Sequence, residues 1–339
     1  MGSHKKSRSP GLLAIVVALS ALLAIATLAG CAGGYYEGSV AFVDAQHGWV
    51  TWGGDGRTVV SRTLDGGATW QEVGSRKSRP IVGWAAFSTP TTGVWAVEID
   101  KLLYTTTGGR PWHLATVKGM KGGYFAAASF ASAKVGWAAG VHGQAKAGGS
   151  IAKTTDGGAT WRVQKRISGK DGSGGFLDVA CPSVLKCYAL KRGTLGGVWA
   201  TSNGGATWTR HKLPGTSVYE AIDFVDGVTG YAVGNSGKIA KTTDGGVTWV
   251  LQASGVSGRL HGVCFTSVDN GFAVGANGVI LHTQDGGAQW AAQSSETTVT
   301  LNSVDFVSSD EGWVVGADGW RPLSEGTMLH TTDAGQTWK

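Results

Sequence analysis

Thr154-Thr155-Asp156-Gly157-Gly158-Ala159-Thr160-Trp161 is one of seven renderings of a single phrase along this chain. The others end at Trp70, Trp112, Trp208, Trp249, Trp290 and Trp338, so successive tryptophans stand 42, 49, 47, 41, 41 and 48 residues apart. Self-similarity with a period in the forties marks one supersecondary unit per repeat, stacked in a row or closed in a ring. Each repeat has the same layout. An apolar-alternating run comes first, as in Leu301-Asn302-Ser303-Val304-Asp305-Phe306. A short loop and a Gly-aromatic-apolar run follow, as in Gly312-Trp313-Val314-Val315-Gly316. A strand ending in Thr-x-Asp-Gly-Gly, a hairpin and a last strand opened by Thr-Trp complete the unit. Four short strands joined by Gly-rich turns predict one blade of a β-propeller. The repeats fall at about 38–73, 80–115, 123–164, 176–211, 218–252, 259–293 and 300–339, which predicts an all-β, seven-bladed propeller with four antiparallel strands per blade.

The phrase Ser/Thr-x-Asp-x-Gly-x-Thr-Trp is the Asp-box, or bacterial neuraminidase repeat. It is intact at Thr63–Trp70, Thr154–Trp161, Thr242–Trp249 and Thr331–Trp338. Gln289 replaces Thr in Thr283–Trp290, and Asn203 replaces Asp in Thr201–Trp208. The box at Thr105–Trp112 is the most eroded, with Thr107 for Asp and Pro111 for Thr. With a box in every repeat beside a Gly-aromatic-Ala-Val-Gly strand, the chain resembles the secreted photosystem II assembly/stability-factor-like propellers more than true sialidases. The similarity covers about residues 38–339, in a WD40/YVTN-like layout. It implies a non-enzymatic scaffold, which in photosynthetic members of that family is a chaperone for photosystem II assembly.

The front of the chain bears on location. Lys5, Lys6 and Arg8 form a basic start, Gly11–Gly30 is an uncharged, mostly apolar run, and Leu28-Ala29-Gly30-Cys31 matches a bacterial lipobox. Residues 1–31 thus read as a lipoprotein signal ending at Cys31, the lipidation site, with 32–37 as a short tether before the propeller at 38–339. An uncleaved anchor and a plain secretory signal are the alternatives. All three place the domain outside the cytoplasm, and the first makes it a membrane-anchored lipoprotein of the cell envelope.

Composition fits that setting. Three of the 29 basic residues lie in the leader, leaving 26 against 23 acidic ones, a net of about +3. That is well short of a nucleic-acid binder's footprint. Cys181 and Cys187, in Cys-Pro-Ser-Val-Leu-Lys-Cys, replace residues equivalent to Phe306 and Gly312, which face each other across a hairpin. In an oxidising compartment this predicts a disulfide. Cys264 remains as a buried free thiol. No Cys-x-x-Cys or His pair at ligand spacing points to a metal, and no cofactor motif occurs.

The box residues Asp65, Asp156, Asn203, Asp244, Asp285 and Asp333 read as turn devices. An Asp ahead of Gly-Gly accepts backbone N–H bonds while glycine supplies positive φ. Copies spread around a ring cannot converge on one substrate. The Trp residues closing the boxes read as packing between blades. Exposed aromatics would come instead from Tyr35, Tyr36, Trp52, Trp84 and Trp320, which break the repeat pattern.

A sialidase needs three arginines, a Tyr nucleophile with a Glu partner and an acid/base Asp on inner strands. These inner strands carry Val, Ala, Phe and Asp instead, and the family's Phe-Arg-Ile-Pro segment has only a poor echo in Arg79-Pro80-Ile81-Val82. No paired carboxylates are singled out for other glycosidases. The expectation is a binding scaffold without catalysis, with a glycan-directed module or sialidase-like hydrolase as the alternative.

One feature escapes the repeat. The links from one blade to the next are basic, with Arg76, Lys77 and Arg79 after blade one, Lys118 and Lys121 after blade two, Lys165, Arg166 and Lys170 after blade three, and Lys212 after blade four. They suggest a rim for an anionic partner, a protein or a cell-envelope component, met by a monomer. Finally, Tyr35 and Tyr36 are expected to lie against residues 300–338 and help close the ring, because the seventh box is followed only by Lys339.

Overall fold

A computed structural model describes residues 38–54, 57–77, 83–98, 101–120, 122–143, 148–168, 174–193, 196–215, 218–317 and 326–339. They form seven sheets, one per repeat. Blade one is β1 (Ser39–Phe42), β2 (Gly48–Gly54), β3 (Arg57–Thr63) and β4 (Gln71–Lys77). Blade two is β5 (Ala85–Phe87), β6 (Gly93–Glu98), β7 (Lys101–Thr105) and β8 (His113–Leu114). After β9 (Thr116–Lys118), blade three is β10 (Gly123–Phe130), β11 (Gly136–His142), β12 (Gly148–Thr154) and β13 (Thr160–Ile167). Blade four is β14 (Phe176–Ala180), β15 (Cys187–Lys191), β16 (Gly197–Thr201) and β17 (Thr209–His211). Blade five is β18 (Tyr219–Phe224), β19 (Gly230–Gly234), β20 (Ile239–Thr242) and β21 (Val250–Gln252). Blade six is β22 (Leu260–Phe265), β23 (Gly271–Gly275), β24 (Ile280–Thr283) and β25 (Ala291–Gln293). Blade seven is β26 (Leu301–Phe306), β27 (Gly312–Gly316) and β28 (Thr327–Thr331). Beside β28, Lys339 exchanges two backbone bonds of 2.9 and 3.0 Å with His330, where the other blades begin an outer strand.

Each blade is an antiparallel meander, and first strands touch in chain order until β26 meets β1. The result is a closed seven-bladed ring with the first strands around the axis. Blade three departs from the pattern. The segment leaving blade two returns as β9, parallel to the start of β13, with Lys118 opposite Arg162.

The core lies between blades, and one contact recurs. The first strand ends in Phe, and the aromatic opening the second strand of the preceding blade lies flat upon it. Ring centroids are 3.5 Å apart for Trp313 on Phe42, 3.6 Å for Trp49 on Phe87, 3.5 Å for Tyr188 on Phe224, 3.5 Å for Tyr231 on Phe265 and 3.8 Å for Phe272 on Phe306. The box Trp meets the same Phe edge-on, as Trp249 does Phe224 at 5.9 Å. Each pairing adds about 0.5–1.5 kcal/mol beyond the area it buries. The Phe ring also folds over the glycine opposite it in its own hairpin. A Cβ at Gly230 would lie 2.6 Å from the Phe224 ring, so only glycine fits there.

Blade four solves the same problem differently. Cys181 stands where Phe would, Cys187 where Gly would, and the two form a disulfide against which Trp137 and Trp208 pack. A side chain at the glycine position is tolerated because no ring covers it. Blade one closes on blade seven through the same devices. Trp313 stacks on Phe42 and donates from Nε1 to the Gly66 carbonyl at 3.2 Å, and the Phe42 N–H donates to Asp305 Oδ2 at 2.6 Å. Tyr35 and Tyr36 lie outside the described residues, as do Trp320 and the leader with Cys31.

If the disulfide replaces an aromatic sandwich, restoring the sandwich removes the need for it. Reduction of the wild type should cost about 2 kcal/mol, the chain entropy of a cross-link spanning six residues. The double variant Cys181→Phe/Cys187→Gly should melt at the same temperature with and without reductant. A melting temperature that falls equally in both proteins on adding dithiothreitol refutes the equivalence.

Candidate functional site

Strand alternation sorts the turns onto two faces. The loops between first and second strands share one face with the Asp-box hairpins, here the box face. The turns between second and third strands share the other with the links between blades, here the link face.

On the box face, the boxes consume their own polar groups. Asp156 Oδ1 accepts from the Thr160 N–H at 2.9 Å and from the Thr154 hydroxyl at 2.8 Å, while Oδ2 accepts from the Thr160 hydroxyl at 2.6 Å. The Thr154 oxygen accepts in turn from the Gly158 N–H at 3.0 Å. Gly157 and Gly158 turn the chain at φ 76° and 99°, in the left-handed region. Asp65, Asp244 and Asp333 repeat the bonds from the fourth residue on. Donation from the Thr248 and Thr337 hydroxyls holds the carboxyls of Asp244 and Asp333 down to about 2. Asn203 keeps the backbone bond, at 2.9 Å from the Thr207 N–H, and reverses the other by donating Nδ2 to the Thr207 hydroxyl. At Asp285 the Gln289 N–H still donates, at 2.9 Å, and the hydroxyl bond is missing. Thr107 in the eroded box instead donates its hydroxyl to the Arg110 carbonyl at 3.0 Å.

Along the axis a second set of carboxylates sits in the channel wall. Asp178 accepts from the Val179 N–H of its own strand at 2.8 Å and from the Ile222 N–H of the next blade at 2.9 Å. Asp223 likewise bridges Phe224 and Phe265, at 2.8 and 2.7 Å, and Asp305 reaches Phe42. The Ser129 hydroxyl accepts the Cys181 N–H at 3.0 Å in the same manner. Cys264 takes the corresponding place in blade six, where burial pushes its thiol well above the ordinary value. The carboxylates touch channel space but are enclosed by protein. Burial raises Asp178 and Asp223 to about 6 and Asp305 to about 7, against the pull of the backbone donors. Repulsion from Asp223 adds to the rise at Asp178 and Asp305. These latches were not singled out from the sequence. Their only trace there is Asp before Phe in the first strands of blades five and seven.

The link face is where unspent charge collects. Arg76 and Lys77 project at the end of β4, with Arg57 opposite Lys77 in the neighbouring strand. Arg166 is exposed at the end of β13, while Lys165 lies over the Trp199 ring at 4.8 Å. Lys212 follows β17, exposed. Arg79, Lys121 and Lys170 lie outside the described residues. Lys118 is a correction. It lies in the link after blade two, but in β9 on the outer edge of blade three rather than on the rim, because that segment pairs with β13 before crossing to β10.

Cations that sequence reading missed join the same face from the turns between second and third strands. They are Arg57, Lys101, Arg192 and Lys238. The signal was available, since those turns share the face by the same alternation. Among described residues with described side chains, Glu220 and Glu296 are the acids of this face, Glu220 lying 3.9 Å from Arg259. The box-face loops of blades one, five, six and seven carry Asp44, Asp226, Asp269, Asp310 and Glu311, while those of blades three and four carry Lys134 and Lys186.

Among the described residues two depressions are open to a small ligand, and each offers one carboxylate. One of about 400 Å³ in blade six is lined by Asn277, Ser295, Glu296 and Thr297. One of about 250 Å³ between blades four and five holds Lys186, His211 and Asp244. Among the described residues no three His, Cys, Asp or Glu side chains gather to hold a metal. Trp84, expected at the surface, is buried and donates to the Phe125 carbonyl at 2.8 Å, and Trp52 is half-buried with Nε1 3.3 Å from Ser61 Oγ.

Comparison with known proteins agrees with this geometry. Residues 251–339 match the family described as photosynthesis system II assembly factor YCF48. The structure of YCF48 bound to a D1 peptide superposes with a TM-score of 0.63 at 19% identity, over 90% of this chain and 97% of that one. YCF48 from Cyanidioschyzon merolae gives 0.61 at 18%, over 88% and 95%. The WD40 propeller domain of Doa1 gives 0.61 at 12%, over 90% and 95%, so at these identities the superpositions establish the fold. No curated protein matches the chain at a significant level. The chain is similar to the YCF48 assembly factors, as its Asp-boxes suggest.

Two outcomes follow from the two sets of carboxylates. Asp156→Ala should lower stability by about 1–2 kcal/mol through lost backbone and hydroxyl bonds while leaving the fold's circular dichroism unchanged. An unaltered melting temperature would remove the structural role.

The channel groups predict a pH dependence of the opposite sign to the boxes. Folded values raised to about 6 and 7 favour the native state below the unfolded carboxyl value, and this is lost as pH rises through 6 to 7. The depressed box groups contribute above the unfolded value and lose that only as pH falls towards 2. The melting temperature should therefore be higher at pH 5 than at pH 8, and Asp305→Asn should flatten the slope. A melting temperature that climbs from pH 5 to pH 8 contradicts this.

Proposed function

We propose that this chain is a non-catalytic binding and assembly scaffold, held outside the cytoplasm at the cell-envelope membrane by lipid on Cys31, whose monomeric propeller offers its link face to an anionic partner. The observation that carries the reading is the cluster of cations that blades one, three and four present on the link face, on surfaces the repeat does not specify. Arg57, Arg76, Lys77, Arg166, Arg192 and Lys212 project from the link face, whereas the polar groups of the boxes and the channel wall are committed to holding the blades. Charge of this kind steers and orients an anionic partner more than it supplies affinity. Similarity to the YCF48 assembly factors, one of which is seen with a bound peptide, supports a binding scaffold over a hydrolase. The lipobox at Leu28–Cys31 supports the tether.

The test joins both halves on one preparation. Wild type should incorporate labelled palmitate and fractionate with membranes, and Cys31→Ser should do neither. Reversal of Arg76, Lys77, Arg166 and Lys212 to Glu should leave membrane fractionation intact. It should also abolish salt-sensitive retention of the detergent-solubilised chain on a polyanion matrix. Equal retention of variant and wild type at low salt would return these residues to solvated surface.

A further inference from the structure

The start of the described chain and the cations share a face. Gly38, the first described residue, opens β1 at its link-face end, and β1 is a first strand beside the axis. The described chain therefore begins at the centre of the link face. Six residues separate Cys31 from Gly38, a span of at most about 20 Å when fully extended. Resting on the tethered reading above, we propose that the link face docks on an anionic lipid surface, the headgroups of the bilayer that holds the anchor.

Three observations favour a planar anionic surface over a short acidic segment of protein. The cations are spread over the link face rather than lining a groove. They come from blade one at Arg57 and Arg76, blade three at Arg166, and blade four at Arg192 and Lys212. An open depression on this side, in blade six, is lined by Glu296 rather than by a cation, so it does not suit an acidic peptide. The tether also leaves little choice of orientation. Turning the box face to the bilayer would require those six residues to pass the full depth of a blade, and would bring Asp226, Asp269 and Asp310 against like charge. With the link face inward the cations come within the roughly 8–10 Å over which an anionic leaflet is felt at physiological salt.

The experiment uses the full lipidated chain, reconstituted into vesicles of phosphatidylcholine with or without phosphatidylglycerol and carrying nitroxide-headgroup lipid as quencher. A dye is placed at Arg192→Cys on the link face or Asp269→Cys on the box face, each with Cys264→Ser to leave one reactive thiol. The expected result is quenching at 192 that requires phosphatidylglycerol and is lost on raising salt, with little quenching at 269 in either lipid. Reversal of Arg76, Lys77, Arg166 and Lys212 to Glu should remove the effect, and the salt titration of the unreversed chain tests it without relying on that variant's folding. Equal quenching at 192 with and without phosphatidylglycerol overturns the proposal and leaves an acidic protein as the occupant of this face. Quenching at 269 as strong as at 192 overturns it too. A chain that does not float with vesicles of either lipid refutes the tether itself, an outcome distinct from a chain that floats but shows no lipid-charge dependence.

Discussion

Everything in this propeller depends on one contact, a flat aromatic pair between the second strand of one blade and the Phe that ends the first strand of the next. A blade is a single small sheet with two apolar faces and cannot bury both alone. The pair supplies the large buried surface, and the box Trp meets the same Phe edge-on to seal the inner end of the wedge. The geometry then propagates into sequence. Because the Phe ring folds back over its own hairpin, the residue opposite must be glycine, as at Gly230 beneath Phe224. Because the next aromatic follows directly, the motif Gly-aromatic becomes fixed in the second strand. The exceptions obey the same logic. Val94 fills the aromatic's place between blades two and three, packing in the cluster that holds Phe130. In blade four Phe and Gly give way together to Cys181 and Cys187, which one-at-a-time substitution would not achieve without a hole or a clash.

Much of the polar chemistry is spent on the same task. Box carboxylates and threonines close hairpins, and Lys153 and Lys241 donate at 2.8 and 2.7 Å to box carbonyls of the following blade. Asp178, Asp223 and Asp305 tie the first strands of adjacent blades together around the channel. Each of these carboxylates already accepts a backbone N–H from the neighbouring blade, so its oxygens are engaged in holding adjacent strands together. Chemistry left over for partners must therefore come from segments that close no sandwich and no hairpin. Those are the links and the turns between second and third strands.

This division explains which features could be read from the sequence. Blade number, strand order and the facing of Cys181 and Cys187 follow from a repeat whose every position answers to packing. The Asp-boxes were legible for the same reason, although the reversed bond at Asn203 was not foreseen. Lys118 was misread because β9 is an addition peculiar to one link, and no repeat position encodes it. Trp84 was misread because a departure from the pattern suggested exposure, whereas its indole donates to Phe125 across the junction between blades two and three. The channel latches were overlooked because the role is shared among Asp, Ser and Cys. These have in common an acceptor atom at the right reach rather than a residue type.

The ring's closure carries the same lesson further. Phe42, Trp313 and Asp305 join the first blade to the last with the contacts used at internal junctions, so closure within the described residues needs no special segment. What distinguishes blade one is its start, since its first strand begins at Gly38 beside the axis on the link face. A propeller tethered there differs from one tethered through an outer strand. With the proposed tether, attachment would lie near the centre of a disc, so the disc could rotate about it without lifting one edge, and charges at every radius would meet the same plane. A set of cations distributed over several blades is then useful as a set, because rotation exchanges their places without changing their distance from that plane. On an outer tether the same residues would approach a surface one sector at a time, and spreading them round the face would gain nothing.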